Sequence, residues 1–152
     1  MSVLVQNNMK KYIILIPIFN DRESLTKLIT NINTEIKDLN SEISVIVIND
    51  ASSQQIIDEY QNTENINSIE IINMKENRGH ARCIASGLKY IYEKKEFDYV
   101  IPMDGDGEDR PEEIKNFIQL AEQSNDQSIV CLLYTSDAAD EGLGVDLGGR
   151  RI

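Results

Sequence analysis

Two aspartates stand one residue apart, in Asp104-Gly105-Asp106, shortly after an apolar run over 99–101. Carboxylate oxygens are the ligands that Mg²⁺ and Mn²⁺ prefer, and proteins often hold these ions by one or two carboxylates together with substrate phosphates. A metal in such a place neutralises a diphosphate leaving group as its bond breaks. The alternative interpretation is a solvated acidic turn, because an Asp-x-Asp pair on its own is common.

The same stretch also begins like a calcium-binding EF-hand loop. That loop requires glycine at its sixth position and glutamate at its twelfth. This chain has Asp109 and Lys115 there. The sequence therefore excludes an EF-hand.

Other polar clusters follow apolar runs elsewhere in the chain. Asp50 could accept hydrogen bonds from a nucleobase or a ribose, or it could cap the helix that follows. Arg78 and Gly79 open a predicted helix, where backbone N–H groups could meet a phosphate, and a turn without ligand is the alternative. His80 is the only histidine and has no serine, cysteine or acid placed beside it in a triad pattern.

The elements that must position these residues alternate along the chain. The apolar runs and the helical spacings predict strands over 12–16, 43–48, 69–72 and 99–101 and helices over 25–39, 56–60, 79–94 and 111–121. We expect the first strand to end at Pro17, Asn20 and Asp21 to offer the cap of the first helix, and Ser52 and Ser53 to cap the short helix. Such alternation predicts an α/β fold with a doubly wound, mostly parallel sheet, whose ligands bind at the carboxyl ends of the strands.

Composition limits the partners and the compartment. The net charge of −11 excludes nonspecific nucleic-acid binding through the protein's own field. Cys83 and Cys131 have no CxxC or Cys/His spacing, which indicates a reduced, cytoplasmic protein. No run approaches the about 18 apolar residues of a membrane span, so we expect no membrane segment in this chain.

The composition changes near residue 130. Residues 131–152, CLLYTSDAADEGLGVDLGGRRI, resemble the in-frame translation of a transposase-type sequencing adapter. We therefore expect residues 1–130 to be the natural part and 131–152 to be a non-native tail. A fifth strand is expected to begin within 128–133, across this boundary. A natural glycine-rich loop is the alternative.

Four motifs occur in a fixed order between residues 11 and 125: IILIPIFNDRESL, VIVINDAS, ENRGHARCIASGL and YVIPMDGDGEDRPEEI. Together they resemble the family 2 glycosyltransferases of the GT-A fold. The resemblance implies that residues 1–130 are the nucleotide-sugar-binding part of a truncated GT-A domain, with a Rossmann-like, mostly parallel sheet.

The resemblance also assigns site residues. It implies that Asp50 contacts the base, although Asn49 replaces the first acid of the more usual pair, and that Asp104 and Asp106 bind Mg²⁺ or Mn²⁺. The implied nucleotide-sugar pocket is lined by Pro17, Phe19, Asp21, Asp50, Arg78, Gly79 and Asp104.

The function implied by the resemblance is metal-dependent transfer of a sugar from a nucleotide-diphosphate donor to an acceptor. The GEDRPEEI continuation is similar to members that act on lipid phosphates, and a polysaccharide is the other acceptor considered. A full-length protein with a lipid acceptor would work at the inner face of the membrane.

The catalytic base of the family is expected beyond residue 130, so this chain should be a donor-binding fragment without turnover. Two alternatives stay open: a noncatalytic nucleotide-binding α/β domain, and a receiver-like signalling module that binds Mg²⁺. The second needs an acid pair after the first strand, where this chain has Phe19-Asn20-Asp21.

Overall fold

The computed structural model describes residues 9–57 and 59–123. Their elements in chain order are β1 (Lys11–Ile18), α1 (Arg22–Ile36), β2 (Glu42–Asn49), β3 (Ser68–Asn73), α2 (His80–Lys94), β4 (Tyr99–Pro102), a 3-10 turn (Pro111–Glu113) and α3 (Ile114–Gln123). The chain divides into two units after Pro111. The first unit contains the sheet, α1 and α2, and the second contains α3. The predicted strand at 128–133 and the tail at 131–152 lie outside the described residues.

The four strands form one parallel sheet in the order β3-β2-β1-β4. This confirms the predicted α/β fold with a mostly parallel sheet. Ile14 lies opposite Val45 of β2 and Ile101 of β4, so β1 is an interior strand. A receiver-like module would need the order 2-1-3. The observed order therefore excludes that alternative.

Helix α1 begins at the predicted cap. The Oδ1 atom of Asp21 accepts the Ser24 N–H at 3.1 Å, which satisfies one of the free donors at the helix start. The helix ends at Ile36, one turn before the predicted Leu39, whose N–H instead bonds the Ile36 carbonyl at 3.0 Å. Its buried apolar side chains are Leu25, Leu28, Ile29, Ile32 and Ile36.

Helix α2 packs on β1 and β2 at very short range. A Cβ atom added to Gly87 would lie 2.5 Å from Leu15 Cδ1 and 2.9 Å from Ile48 Cγ1. Only a residue without a side chain fits there, because both partners belong to the buried core. The apolar core between this helix and the sheet contains Ile13, Leu15, Ile46, Ile48, Cys83 and Ile91.

The prediction that Pro17 ends β1 is wrong, because the strand continues to Ile18. Met103 N–H bonds the Leu15 carbonyl, which places the polar groups of alternate β1 residues toward β4. Pro17 follows Leu15 on that side, and the pairing with β4 ends at Leu15. The missing N–H of proline therefore removes no ladder bond.

The short helix predicted over 56–60 is also wrong, since residues 51–57 and 59–67 contain no helix. Asparagine side chains from distant segments bind the backbone here. The Oδ1 atom of Asn20 accepts the N–H groups of Ser53 and Gln54 at 2.8 and 3.2 Å, and that of Asn33 accepts the Asn65 N–H at 2.8 Å. These bonds satisfy the segment without helical pairing.

We expect Gly87→Val to lower the free energy of unfolding by about 2 kcal/mol, because the branched side chain overpacks the core against Leu15. Urea unfolding followed by circular dichroism measures the change. Ala85→Val is the control, since it introduces the same valine side chain at an exposed position of α2 and should stay within about 0.5 kcal/mol. Equal stability of the two variants would contradict the close packing.

Candidate functional site

The polar clusters that follow β1, β2 and β4 meet at one edge of the sheet. The Asp50 N–H bonds the Ile18 carbonyl at 2.9 Å, and the Met103 N–H bonds the Leu15 carbonyl at 2.9 Å. Because all strands run in parallel, these bonds join three carboxyl ends. The candidate site is built on this edge.

A cavity of about 190 Å³ opens at the ends of β1 and β4. It brings together five of the sequence-predicted site residues. One of them is Phe19, which is half exposed. Asp50, Arg78 and Gly79 do not contribute to its lining. The lining residues are Pro17, Ile18, Phe19, Asp21, His80, Asp104, Gly105 and Asp106.

Asp104 is a partly buried carboxyl group of the cavity. Burial raises the pKa of Asp104 above its usual range, His80 lowers it, and Asp109 and Asp106 raise it again. The Nε2 atom of His80 lies 3.1 Å from Asp104 Oδ1. A partly desolvated carboxylate next to two others favours a positive charge close by.

The turn after β4 is held by its own acids and by a glycine. Asp109 accepts the Asp104 N–H through its Oδ2 atom, and Asp106 accepts the Glu108 N–H through Oδ1 at 3.0 Å. A Cβ atom on Gly105 would lie 2.9 Å from the Pro17 carbonyl oxygen. Glycine therefore lets the turn approach the end of β1 closely.

Asp50 lies apart from this cavity and binds the start of α2. Its side chain is buried, with a residue exposure of 4%. Oδ1 accepts the Arg78 N–H at 2.8 Å and Oδ2 accepts the Gly79 N–H at 2.9 Å. The main-chain carbonyl of Asp50 accepts Asn77 Nδ2 at 3.3 Å. Asp50 thus joins the end of β2 to the turn before α2.

An open groove of about 520 Å³ lies beside that turn. The Arg78 guanidinium forms an ion pair with Glu76 at its border. Lys75 and Arg82 add two further positive charges in a chain that is acidic overall. The lining residues are Asn73, Met74, Lys75, Glu76, Arg78, Arg82, Ala85 and Ser86.

Left-handed backbone conformations occur at the same edge. Asn20 has φ of 51°, Ala51 has φ of 57° and Gly79 has φ of 87°. This region is disfavoured for alanine because its Cβ crowds the backbone. Ala51 adopts this conformation because both of its neighbours are held. Asp50 binds the turn before α2, and the Oγ atom of Ser52 accepts the Asn20 N–H at 2.9 Å.

Three residues organise the site in ways that the sequence did not predict. Asn20 bridges two strand ends, His80 is the partner of Asp104, and Asp109 holds the turn. A signal existed for Asp109, which follows the Asp-x-Asp pair within the same short turn. No local signal existed for His80, since its partner is 24 positions away.

The donor set at the cavity fits a hard divalent cation shared with a ligand. Within residues 9–57 and 59–123, no three His, Cys, Asp or Glu side chains are grouped closely enough to hold a metal ion alone. Asp104 and Asp106 supply two carboxylates on one cavity. Mg²⁺ and Mn²⁺ accept such an incomplete protein shell when phosphate oxygens complete it.

A family model described as glycosyl transferase family 2 matches residues 13–144. This chain belongs to glycosyl transferase family 2. The match confirms the family inferred from the four ordered motifs.

Solved structures of S. aureus TarS share the fold. TarS 1-349 superposes with a TM-score of 0.59 at 19% identity, over 74% of this chain and 32% of that chain. The same protein in complex with UDP gives 0.58 at 20%, over 74% and 32%. Its complex with UDP-GlcNAc gives 0.52 at 21%, over 74% and 31%. The chain spans about a third of the length of TarS 1-349.

The α-helices within residues 9–57 and 59–123 are α1, α2 and α3. None of them has both the length and the apolar character that a crossing needs.

We expect Asp50→Asn to lower the free energy of unfolding by about 2 kcal/mol, because the amide NH₂ group replaces an acceptor and faces a backbone donor. Urea unfolding measures the loss, and amide exchange at Arg78 and Gly79 should accelerate. Asp38→Asn, at an exposed acid, is the control and should change stability by less than about 0.5 kcal/mol. Unchanged exchange at both amides would refute the role given to Asp50.

The Cys83 thiol should be unreactive in the folded chain. Burial raises the pKa of Cys83 to about 11, and the nearby Asp50 charge adds to the shift. At pH 8 about one thiol in a thousand is therefore the nucleophilic thiolate. We expect iodoacetamide to modify Cys83 roughly a hundredfold more slowly in buffer than in urea, as measured by peptide mass spectrometry. Equal rates would show that this face of α2 is not buried.

Proposed function

We propose that this chain is the donor-binding part of an enzyme that transfers a sugar from a nucleotide-diphosphate donor. The observation that carries the proposal is the pair Asp104 and Asp106 on one cavity at the carboxyl edge of the sheet, in a chain of glycosyl transferase family 2. TarS, which has the same fold, has been solved with UDP and with UDP-GlcNAc. These complexes support a nucleotide sugar as the ligand class.

In this proposal Asp104 and Asp106 hold Mg²⁺ or Mn²⁺ together with the donor diphosphate. The metal would supply neutralisation of the leaving group as the glycosidic bond to phosphate breaks. The Gly105 turn fixes the two carboxylates relative to β1. Arg78 would contribute a second positive charge near the phosphates, although in the free chain it is paired with Glu76.

The nucleoside would lie against the end of β1, where Pro17, Phe19 and Asp21 line the cavity. The half-exposed Phe19 ring offers an apolar face for a base or a sugar. The proposed base contact of Asp50 must coexist with its two bonds to the turn before α2. The contact with the base and the two backbone bonds can form together, because each carboxylate oxygen can accept a second hydrogen bond.

The proposed reaction also needs an acceptor and a catalytic base. A base would deprotonate the acceptor while the diphosphate leaves, and we place it beyond residue 130. We therefore propose donor binding without turnover for this chain. A lipid phosphate or a glycan is the proposed acceptor class, and a role in cell-envelope or glycan synthesis would follow from either.

We expect Asp104→Asn and Asp106→Asn each to weaken manganese-dependent binding of UDP or GDP about tenfold, or about 1.4 kcal/mol, because each removes a charged metal ligand. Calorimetric titration of the 152-residue chain with each nucleotide, with and without Mn²⁺, measures the effect. Asp38→Asn is the control for loss of a distant negative charge. Wild-type affinity in both cavity variants would refute the metal site, and a folded wild-type chain that binds neither nucleotide would refute the donor site.

A further inference from the structure

His80 connects two parts of the site that lie two strands apart. It is the first residue of α2, and the turn before this helix is bonded to Asp50 at the end of β2. Its Nε2 atom lies 3.1 Å from Asp104 Oδ1 in the turn after β4. Between β2 and β4 in the sheet lies β1. This side chain therefore spans the edge from one cluster to the other.

The backbone that carries His80 is fixed on the β2 side. Asp50 binds the N–H groups of Arg78 and Gly79, and the Gly79 carbonyl accepts the N–H of the buried Cys83 at 3.0 Å. The position of the imidazole thus follows from the sheet and from α2. It does not depend on the acidic turn that it contacts.

We propose that His80 is a positioning residue that orients the Asp104 carboxylate for the metal and the diphosphate. This inference rests on the proposed donor-binding function. An imidazole N–H bonded to Oδ1 fixes the plane of the carboxylate and leaves its second oxygen as a metal ligand. Carboxylates that bind metals are commonly held by such outer hydrogen bonds, and loss of the partner typically costs ten- to a hundredfold in affinity.

The hydrogen bond, and not a positive charge, is what the proposal requires. A neutral imidazole donates from Nε2 as well as a charged one does. A glutamine at this position could also donate an N–H toward Asp104, whereas alanine and phenylalanine could not. The His80 side chain is 59% exposed, so its replacement removes little buried packing.

The test is Mn²⁺ titration of the 152-residue chain in the presence of UDP or GDP, with free Mn²⁺ followed by electron paramagnetic resonance. We expect His80→Ala and His80→Phe to raise the dissociation constant of Mn²⁺ about tenfold, and His80→Gln to stay within about threefold of wild type. Thermal unfolding should be unchanged in all three variants, because the His80 side chain is largely exposed. Lys89→Ala, at an exposed position of the same helix, is the control.

Each other outcome has a definite meaning. Tighter Mn²⁺ binding in His80→Ala would show that the imidazole competes with the metal for Asp104, and unchanged binding would show that it has no role, so either overturns the inference. An equal loss in His80→Gln would also overturn it, because the donor would then not be the cause. Absence of manganese-dependent nucleotide binding in the wild-type chain would refute the proposed function itself.

Discussion

The buried carboxylate of Asp50 is the interaction on which the rest of the site depends. An ionised group at 4% exposure is costly unless it is fully hydrogen-bonded, and here both oxygens accept backbone N–H groups of Arg78 and Gly79. The bonds fix the φ of 87° at Gly79, which turns the chain into α2. They thereby set the position of His80 and the line along which α2 packs on the sheet. A single side chain at the end of β2 thus determines how a helix 30 residues later enters the fold.

The interior strands β1 and β2 could be predicted because such strands are buried on both faces and therefore appear as continuous apolar runs. The cap at Asp21 was equally local, because a helix start needs an acceptor within three residues. The predicted end of β1 at Pro17 was wrong, because the effect of a proline on a strand depends on which neighbouring strand its nitrogen faces. The prediction for the segment over 51–67 was wrong too, because Asn20 and Asn33 bind its backbone from more than 30 positions away.

The same division applies to the site. Asp104 and Asp106 could be predicted as a pair because they stand one residue apart in the chain, and both line the same cavity. The side chains that contact these carboxylates depend on strand order. His80 reaches Asp104 because a single strand, β1, lies between β2 and β4 in the sheet. No spacing rule in the sequence contains that order. Family membership supplies the general activity class, whereas the contacts that tune these carboxylates come from the three-dimensional arrangement.

The charge balance of the cavity has a consequence for the sequence of events in ligand binding. Three aspartates line it, and Asp21 is partly compensated because it caps α1, where the helix dipole is positive. Asp104 and Asp106 face only one basic neighbour, His80, in that lining. By charge alone, the cavity repels an anion and attracts a cation. If it is the proposed donor site, a doubly charged diphosphate would therefore arrive as its metal complex or after the metal.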